Sequence, residues 1–186
     1  MKYEILGIYG VDDAILGLSL SYNVALDKAH LAAEKLIKIN TDNLNELNVN
    51  SGELKFLEFI KVSLDMTAPR YFWQQFDTYR IGITKQSEST MHTIMKNKLT
   101  QDNFENEIDG AILDILNDSI SQKDFMKVKT NLPESFLQRR IISTDLKTLI
   151  YIYKQRKNHR LKEWKDFANF LQDFIFNNIQ FQFLNK

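Results

Sequence analysis

The sequence predicts a helix-rich α+β fold in which a small, mostly antiparallel sheet supports several helices. Three observations carry this expectation. Residues Ile60 to Thr67 alternate apolar and polar side chains with the period of a strand. Five other stretches repeat apolar residues at helical spacing. Only six Gly and two Pro occur in 186 residues, which favours long regular elements over a loop-rich or solenoid design. No Gly/Ser linker, low-complexity tract or internal repeat divides the chain, so residues 1–186 are expected to form one domain.

Taken in order, Tyr3 to Tyr9 reads as a short strand. From Asn23 to Ile39, Val24, Ala25, Ala29, Ala32, Ala33, Leu36 and Ile37 recur at helical spacing, and the Asn/Asp-rich stretch Asn40 to Ser51 reads as a loop. In the strand Ile60 to Thr67, Ile60, Val62, Leu64 and Met66 share one side, opposite Lys61, Ser63, Asp65 and Thr67. Pro69 suits the first turn of a following helix, where its missing N–H costs nothing. Tyr71, Phe72, Gln75, Phe76 and Tyr79 continue that helix, and Gly82 is expected to end it.

Thr84 to Thr93 is a Ser/Thr-rich segment suited to a ligand or to turn chemistry. Asp102 with Glu105 has the spacing of a capping box, opening a helix striped by Ile108, Ala111, Ile112, Ile115 and Leu116. A helix from Thr144 buries Leu146, Leu149, Ile150 and Tyr153, and a last one buries Leu161, Trp164, Phe167, Ala168, Leu171, Phe174 and Ile175. Phe181, Phe183 and Leu184 form a short apolar strand or a partner-binding strip.

Composition narrows the chemistry. With no cysteine, disulfides, Cys-ligated zinc and a cysteine nucleophile are excluded. His30, His92 and His159 lie far apart, without the spacing of a metal motif, and no glycine-rich phosphate loop occurs. No apolar run approaches membrane-spanning length, and Met1-Lys2-Tyr3-Glu4 does not begin a secretory signal, so a cytoplasmic location is expected. The net charge is zero but uneven. Asp102 to Asp118 is purely acidic, while Arg139 to Lys165 holds nine basic residues against Asp145 and Glu163. Such a local surplus suits one small anionic ligand better than a long polyanion such as nucleic acid, or else a solvated helix face.

Two segments carry a resemblance to a known family. Ala68-Pro69-Arg70-Tyr71-Phe72-Trp73-Gln74-Gln75-Phe76-Asp77-Thr78-Tyr79-Arg80 resembles the strand-to-helix entry of the flavin-dependent thymidylate synthases, where an Ala-Pro step leads to an Arg-Gln pair and then R-H-R. Leu132-Pro133, then Arg139, then a helix ending at Arg156 and His159, resembles the C-terminal half of that family. The similarity runs from about residue 56 to residue 176. The signature is altered. Only Arg80 of R-H-R is kept, with Thr78 and Tyr79 in the first two places. The family serine falls at Glu88, so Ser87 or Ser89 matches only with a one-residue shift, and Met91-His92 replaces Arg-Tyr. The Arg156-to-His159 spacing is one residue short.

The resemblance implies a homotetramer binding FAD, dUMP and a folate at its subunit interfaces. Such an enzyme methylates dUMP to dTMP with methylenetetrahydrofolate, and NADPH reduces the flavin. It implies nucleotide contacts at Gln75, Ser87, Ser89, Arg139 and Arg156, and cofactor contacts at Tyr79, Arg80, Gln86 and His159. Arg80, Arg139 and Arg156 suit phosphates because guanidinium makes bidentate, charge-assisted bonds, and threonine at position 78 does not replace one. Gln75 suits a uracil edge because an amide both donates and accepts. Read on the residues alone, each has an ordinary alternative. Gln75 is also a surface helix residue, Ser87 and Ser89 turn residues, and His159 a helix-end residue. Tyr71, Phe72, Trp73 and Phe76 suit a flavin ring or a packed core, and Trp73 with the Phe181 to Leu184 tail suits a subunit interface. The altered signature leaves open a non-catalytic relative that binds a nucleotide or acts as an assembly protein.

Overall fold

The computed structural model describes residues 1–21, 23–29, 31–33, 35, 48–50, 52–178 and 181. Its strands are β1 (Lys2–Tyr9), β2 (Lys61–Pro69), β3 (Thr84–Ser87) and β4 (Leu137–Asp145). They form a four-stranded antiparallel sheet in the order β1-β2-β4-β3. Among the described residues the α-helices include α1 (Val11–Ser21), α2 (Arg70–Phe76), α3 (Thr90–Thr93), α4 (Gly110–Ser121), α5 (Phe125–Asn131), α6 (Leu146–Arg156) and α7 (Lys162–Asn177). The helix-rich α+β fold predicted from the sequence is the observed one. Part of the predicted 23–39 helix, most of the 40–51 loop, His30, Phe183 and Leu184 lie outside the described residues.

The chain divides into two compact units, one of Met1–Glu4, Asp65–Arg80 and Lys85–Ile142, the other of Ile5–Leu64, Ile81–Thr84 and Ser143–Lys186. In the first, α2 follows β2 directly. Pro69 is the extended N-cap of α2 rather than its first helical residue, so the strand keeps its register until the helix starts. Arg70 fastens this junction. Its backbone N–H donates to Phe136 O at 3.1 Å and its Nη1 to Leu132 O at 3.0 Å. The Ala-Pro and Leu-Pro segments therefore meet in space. Phe72, Trp73 and Phe76 are core residues, so Trp73, 1% exposed, is no interface aromatic. A second cluster joins Ile94, Leu99, Phe104, Leu116, Val128, Leu132 and Phe136.

Two capping expectations are corrected here. The Asp102–Glu105 box does not form. Instead Thr100 N–H donates to Asn103 Oδ1 at 2.8 Å across a 3-10 turn. Phe104 then turns extended to make an antiparallel bridge with Phe136, which forbids a helix there. The helix waits for Asp109, whose carboxylate accepts from Ala111 N–H at 2.8 Å. Of the predicted stripe, Leu116 is buried, but Ile112 and Ile115 are 41% and 49% exposed. The second correction concerns Gly82, which lies beyond the end of α2. The helix stops at Phe76, where Asp77 and Thr78 take the last free carbonyls, those of Trp73 and Gln75.

In the second unit, α6 packs on α7 and on the 3-10 stretch Gly52–Glu58, which also receives α1. Leu146, Leu149, Ile150 and Tyr153 of α6, and Trp164, Phe167, Ala168, Leu171 and Ile175 of α7, are buried in the apolar interior as the periodicity predicted, whereas Leu161 and Phe174, expected with them, are half-buried. Asp145, buried, is the N-cap of α6 and accepts from Thr148 N–H at 2.9 Å, while Lys61 Nζ lies 3.6 Å from its other oxygen. Gly82 passes this cap with φ +74°. A β-carbon there would stand 2.6 Å from Thr148 Oγ1 and 2.8 Å from Asp145 Oδ2. Glycine meets both demands.

Candidate functional site

Within the first unit, the polar segment 85–89 is held by a cation network. Arg140, its side chain 12% exposed, stacks its guanidinium 4.4 Å from the centre of the Trp73 ring. Its Nη1 donates to Asp77 Oδ1 at 2.8 Å, and its Nε and Nη2 donate to Gln138 Oε1. The same Asp77 oxygen receives Lys85 Nζ at 2.6 Å, which ties β3 to the end of α2. Trp73 Nε1 donates to Gln138 O at 2.9 Å, and Gln138 Nε2 donates to Glu88 O at 2.8 Å. Burial pulls the Arg140 guanidinium below its ordinary value, and Asp77 opposes the shift. The charge persists because a guanidinium titrates far above neutral pH. Gln86, Ser87 and Ser89 thus project from a braced segment as exposed donors.

Gln75 and Tyr79 are half-buried on this unit, and the Tyr79 ring meets Phe76 edge-on at 6.0 Å. Thr78 Oγ1 donates to Gln75 O at 2.7 Å, so this hydroxyl closes the end of the helix. Arg80 is exposed and, among the described residues, enters no hydrogen bond or ion pair given by the structure. Arg139 is otherwise engaged. Its Nε donates to both Asp65 oxygens at 2.9 Å, and its Nη2 donates to Oδ2. The bonds from Arg139 hold the Asp65 carboxyl below its usual range, against the opposing effect of burial. The pair borders a shallow cleft of about 330 Å³ lined also by Lys2, Tyr3, Glu4 and Thr67.

Arg156 and His159 belong to the second unit, where the α6–α7 connection occupies them. Arg156 stacks 4.5 Å from the centre of the Trp164 ring. His159 Nδ1 accepts the Leu161 N–H at 3.1 Å, beside the same indole. Burial first, and the neighbouring Arg156 second, lower the imidazole pKa. A neutral ring with Nδ1 as acceptor fits both facts.

The first unit therefore gathers Gln75, Tyr79, Arg80, Gln86, Ser87, Ser89 and Arg139, and the second holds Arg156 and His159. Sequence reasoning missed Asp65, Asp77, Lys85 and Arg140. Asp65 lies on the face of β2 read as polar surface, and Arg140 is one of two adjacent arginines. No local signal separates the exposed member of that pair from the stacked one.

No family model matches the chain, and no curated protein matches it. Solved structures do. One is a Helicobacter pylori flavin-dependent thymidylate synthase complexed with FAD and dUMP, at TM-score 0.74 over 98% of both chains with 18% identity. The fold is that of the flavin-dependent thymidylate synthases. A second structure from the same organism, also with FAD and dUMP, gives TM-score 0.73 over 100% of this chain and 98% of the other, with 16% identity.

Proposed function

We propose that the chain is a flavin-dependent thymidylate synthase-like protein that binds FAD and dUMP and methylates dUMP to dTMP with methylenetetrahydrofolate. The observation that carries this reading is the end-to-end fold match to an enzyme complexed with those two ligands. The exposed donors of this chain suit a flavin and a nucleotide. Arg80, which enters no ion pair among the described residues, and the amide of Gln86 on the braced strand are the flavin-side donors of this reading, and the exposed hydroxyls of Ser87 and Ser89 are its nucleotide-side donors. The half-buried amide of Gln75 suits a uracil edge, while Tyr79, Arg139, Arg156 and His159 are further contacts on this reading. Flavin supplies the hydride that reduces the transferred carbon, and NADPH replenishes it. A cytoplasmic homotetramer is part of the same proposal. Among the described residues, no helix is long and apolar enough to cross a membrane.

A second reading is a non-catalytic relative that keeps a nucleotide pocket or serves as an assembly protein. It draws support from the internal engagements of Arg139 with Asp65, Arg156 with Trp164 and Thr78 with Gln75. Visible absorbance of protein purified without added cofactor, then FAD titration with and without dUMP, tests the first reading. A flavin spectrum, or FAD binding tightened by dUMP, supports it. No FAD binding in any combination refutes it. Where FAD binds, tritium release from C5-labelled dUMP with methylenetetrahydrofolate and NADPH separates the enzyme from the silent relative.

A further inference from the structure

Asp65 and Arg139 stand on neighbouring strands, β2 and β4, so the backbone holds their side chains within reach of one another. The two are unequal. The Asp65 side chain is 12% exposed, whereas Arg139 is 64% exposed. The carboxylate takes the edge of the guanidinium formed by Nε and Nη2. That edge is one of those with which arginine grips a phosphate through two parallel bonds. Glu4, on the rim of the cleft, and Glu88 add negative potential around Arg139, against the exposed Lys2. An incoming anion therefore meets a cation already neutralised, and taking it would leave a mostly buried carboxylate without its partner.

We infer that Asp65 is a built-in competitor for the anion site of Arg139, so that this one carboxylate sets how tightly the β2–β4 face holds a phosphate group. That Arg139 is an anion site, and that its anion is a nucleoside monophosphate, rest on the proposed function; the pairing that Asp65 brings to the competition is read from the geometry. Arg80, with no such partner among the described residues, is the internal contrast.

Removing the charge at position 65 with little change of shape tests the idea. Asp65→Asn is compared with wild type by calorimetric titration with dUMP and by thermal-shift titration with inorganic phosphate. Circular dichroism checks the fold, and Asp65→Ser serves as a second neutral variant should the first fail to fold. The expected result is phosphate affinity raised about tenfold or more, as removal of a like charge beside a bound anion predicts. The gain should disappear in Asp65→Asn/Arg139→Gln. A folded neutral variant with unchanged or weaker phosphate affinity overturns the inference, as does a gain that survives loss of Arg139. Tighter phosphate binding without dUMP binding in any variant upholds the competition and sinks the nucleotide reading. Wild-type dUMP binding with no gain in the variant does the reverse.

Discussion

Arg140→Ala should destabilise the protein more than any change at its neighbour Arg139, although the sequence presents the two as equals. The magnitude follows from what Arg140 touches. Stacking on the buried Trp73 at 4.4 Å contributes about 1–2 kcal/mol in a partly desolvated setting. The charge-assisted bond to Asp77 at 2.8 Å contributes about 1 kcal/mol, at the low end because Asp77 is 43% exposed. Two longer bonds to Gln138 contribute about 0.5 kcal/mol together. Asp77 keeps Lys85 after the change, so no carboxylate is stranded. The contacts share partners and are not strictly additive, which sets the expected loss at about 2–3 kcal/mol. For a chain of this size that is a fall of about 5–10 °C in Tm. Thermal unfolding by circular dichroism measures it, with Arg140→Lys as the companion: its charge stays and its planar stack goes, so it should lie between wild type and alanine. A melting temperature within about 2 °C of wild type for Arg140→Ala, or a larger loss for Arg139→Gln, would refute the reasoning.

Gly82→Ala forces a side chain into left-handed backbone and against the Asp145 cap, so denaturant titration should show a loss of about 1–2 kcal/mol from conformation alone. His159 is held neutral, its folded pKa below the usual 6.5. The stability it lends is therefore fully present above pH 6.5 and declines as pH falls through the unfolded value toward the folded one. Melts between pH 8 and pH 5 should show that decline in wild type and less of it in His159→Asn, whose amide oxygen can still accept from Leu161 N–H. An identical pH profile in both proteins would count against it. Arg80→Ala should leave the melting temperature unchanged, since the side chain is exposed, yet weaken FAD or dUMP binding about tenfold or more. Unchanged affinity would remove Arg80 from the site.

The regular elements were legible wherever burial follows a local period. β2 alternates cleanly because Val62, Leu64 and Met66 all enter the core, and α6 and α7 carry unbroken apolar stripes. β4 escaped notice for a definable reason. Two of its inward positions are Gln138 and Arg140, polar groups that break the apolar alternation; Trp73 and Asp77 receive Arg140, while the Gln138 amide donates to Glu88 O and accepts from Arg140. The misplaced start of α4 has a similar origin. Asp102 and Glu105 have capping spacing, but the bridge of Phe104 to Phe136, on a distant part of the chain, holds the backbone extended.

By itself, then, the sequence determined the α+β class, the strand that enters α2, the two C-terminal helices and the pair of segments that resemble flavin-dependent thymidylate synthases. Those features rest on periodicity and short motifs, which are properties of neighbouring residues. Tertiary structure decided the state of each candidate cation. Arg80 is exposed, Arg139 is bound to a carboxylate 74 residues away, Arg140 is stacked, and Arg156 lies over an indole. Charge availability depends on partners brought together by folding, and the spacing of arginines along the chain does not encode it.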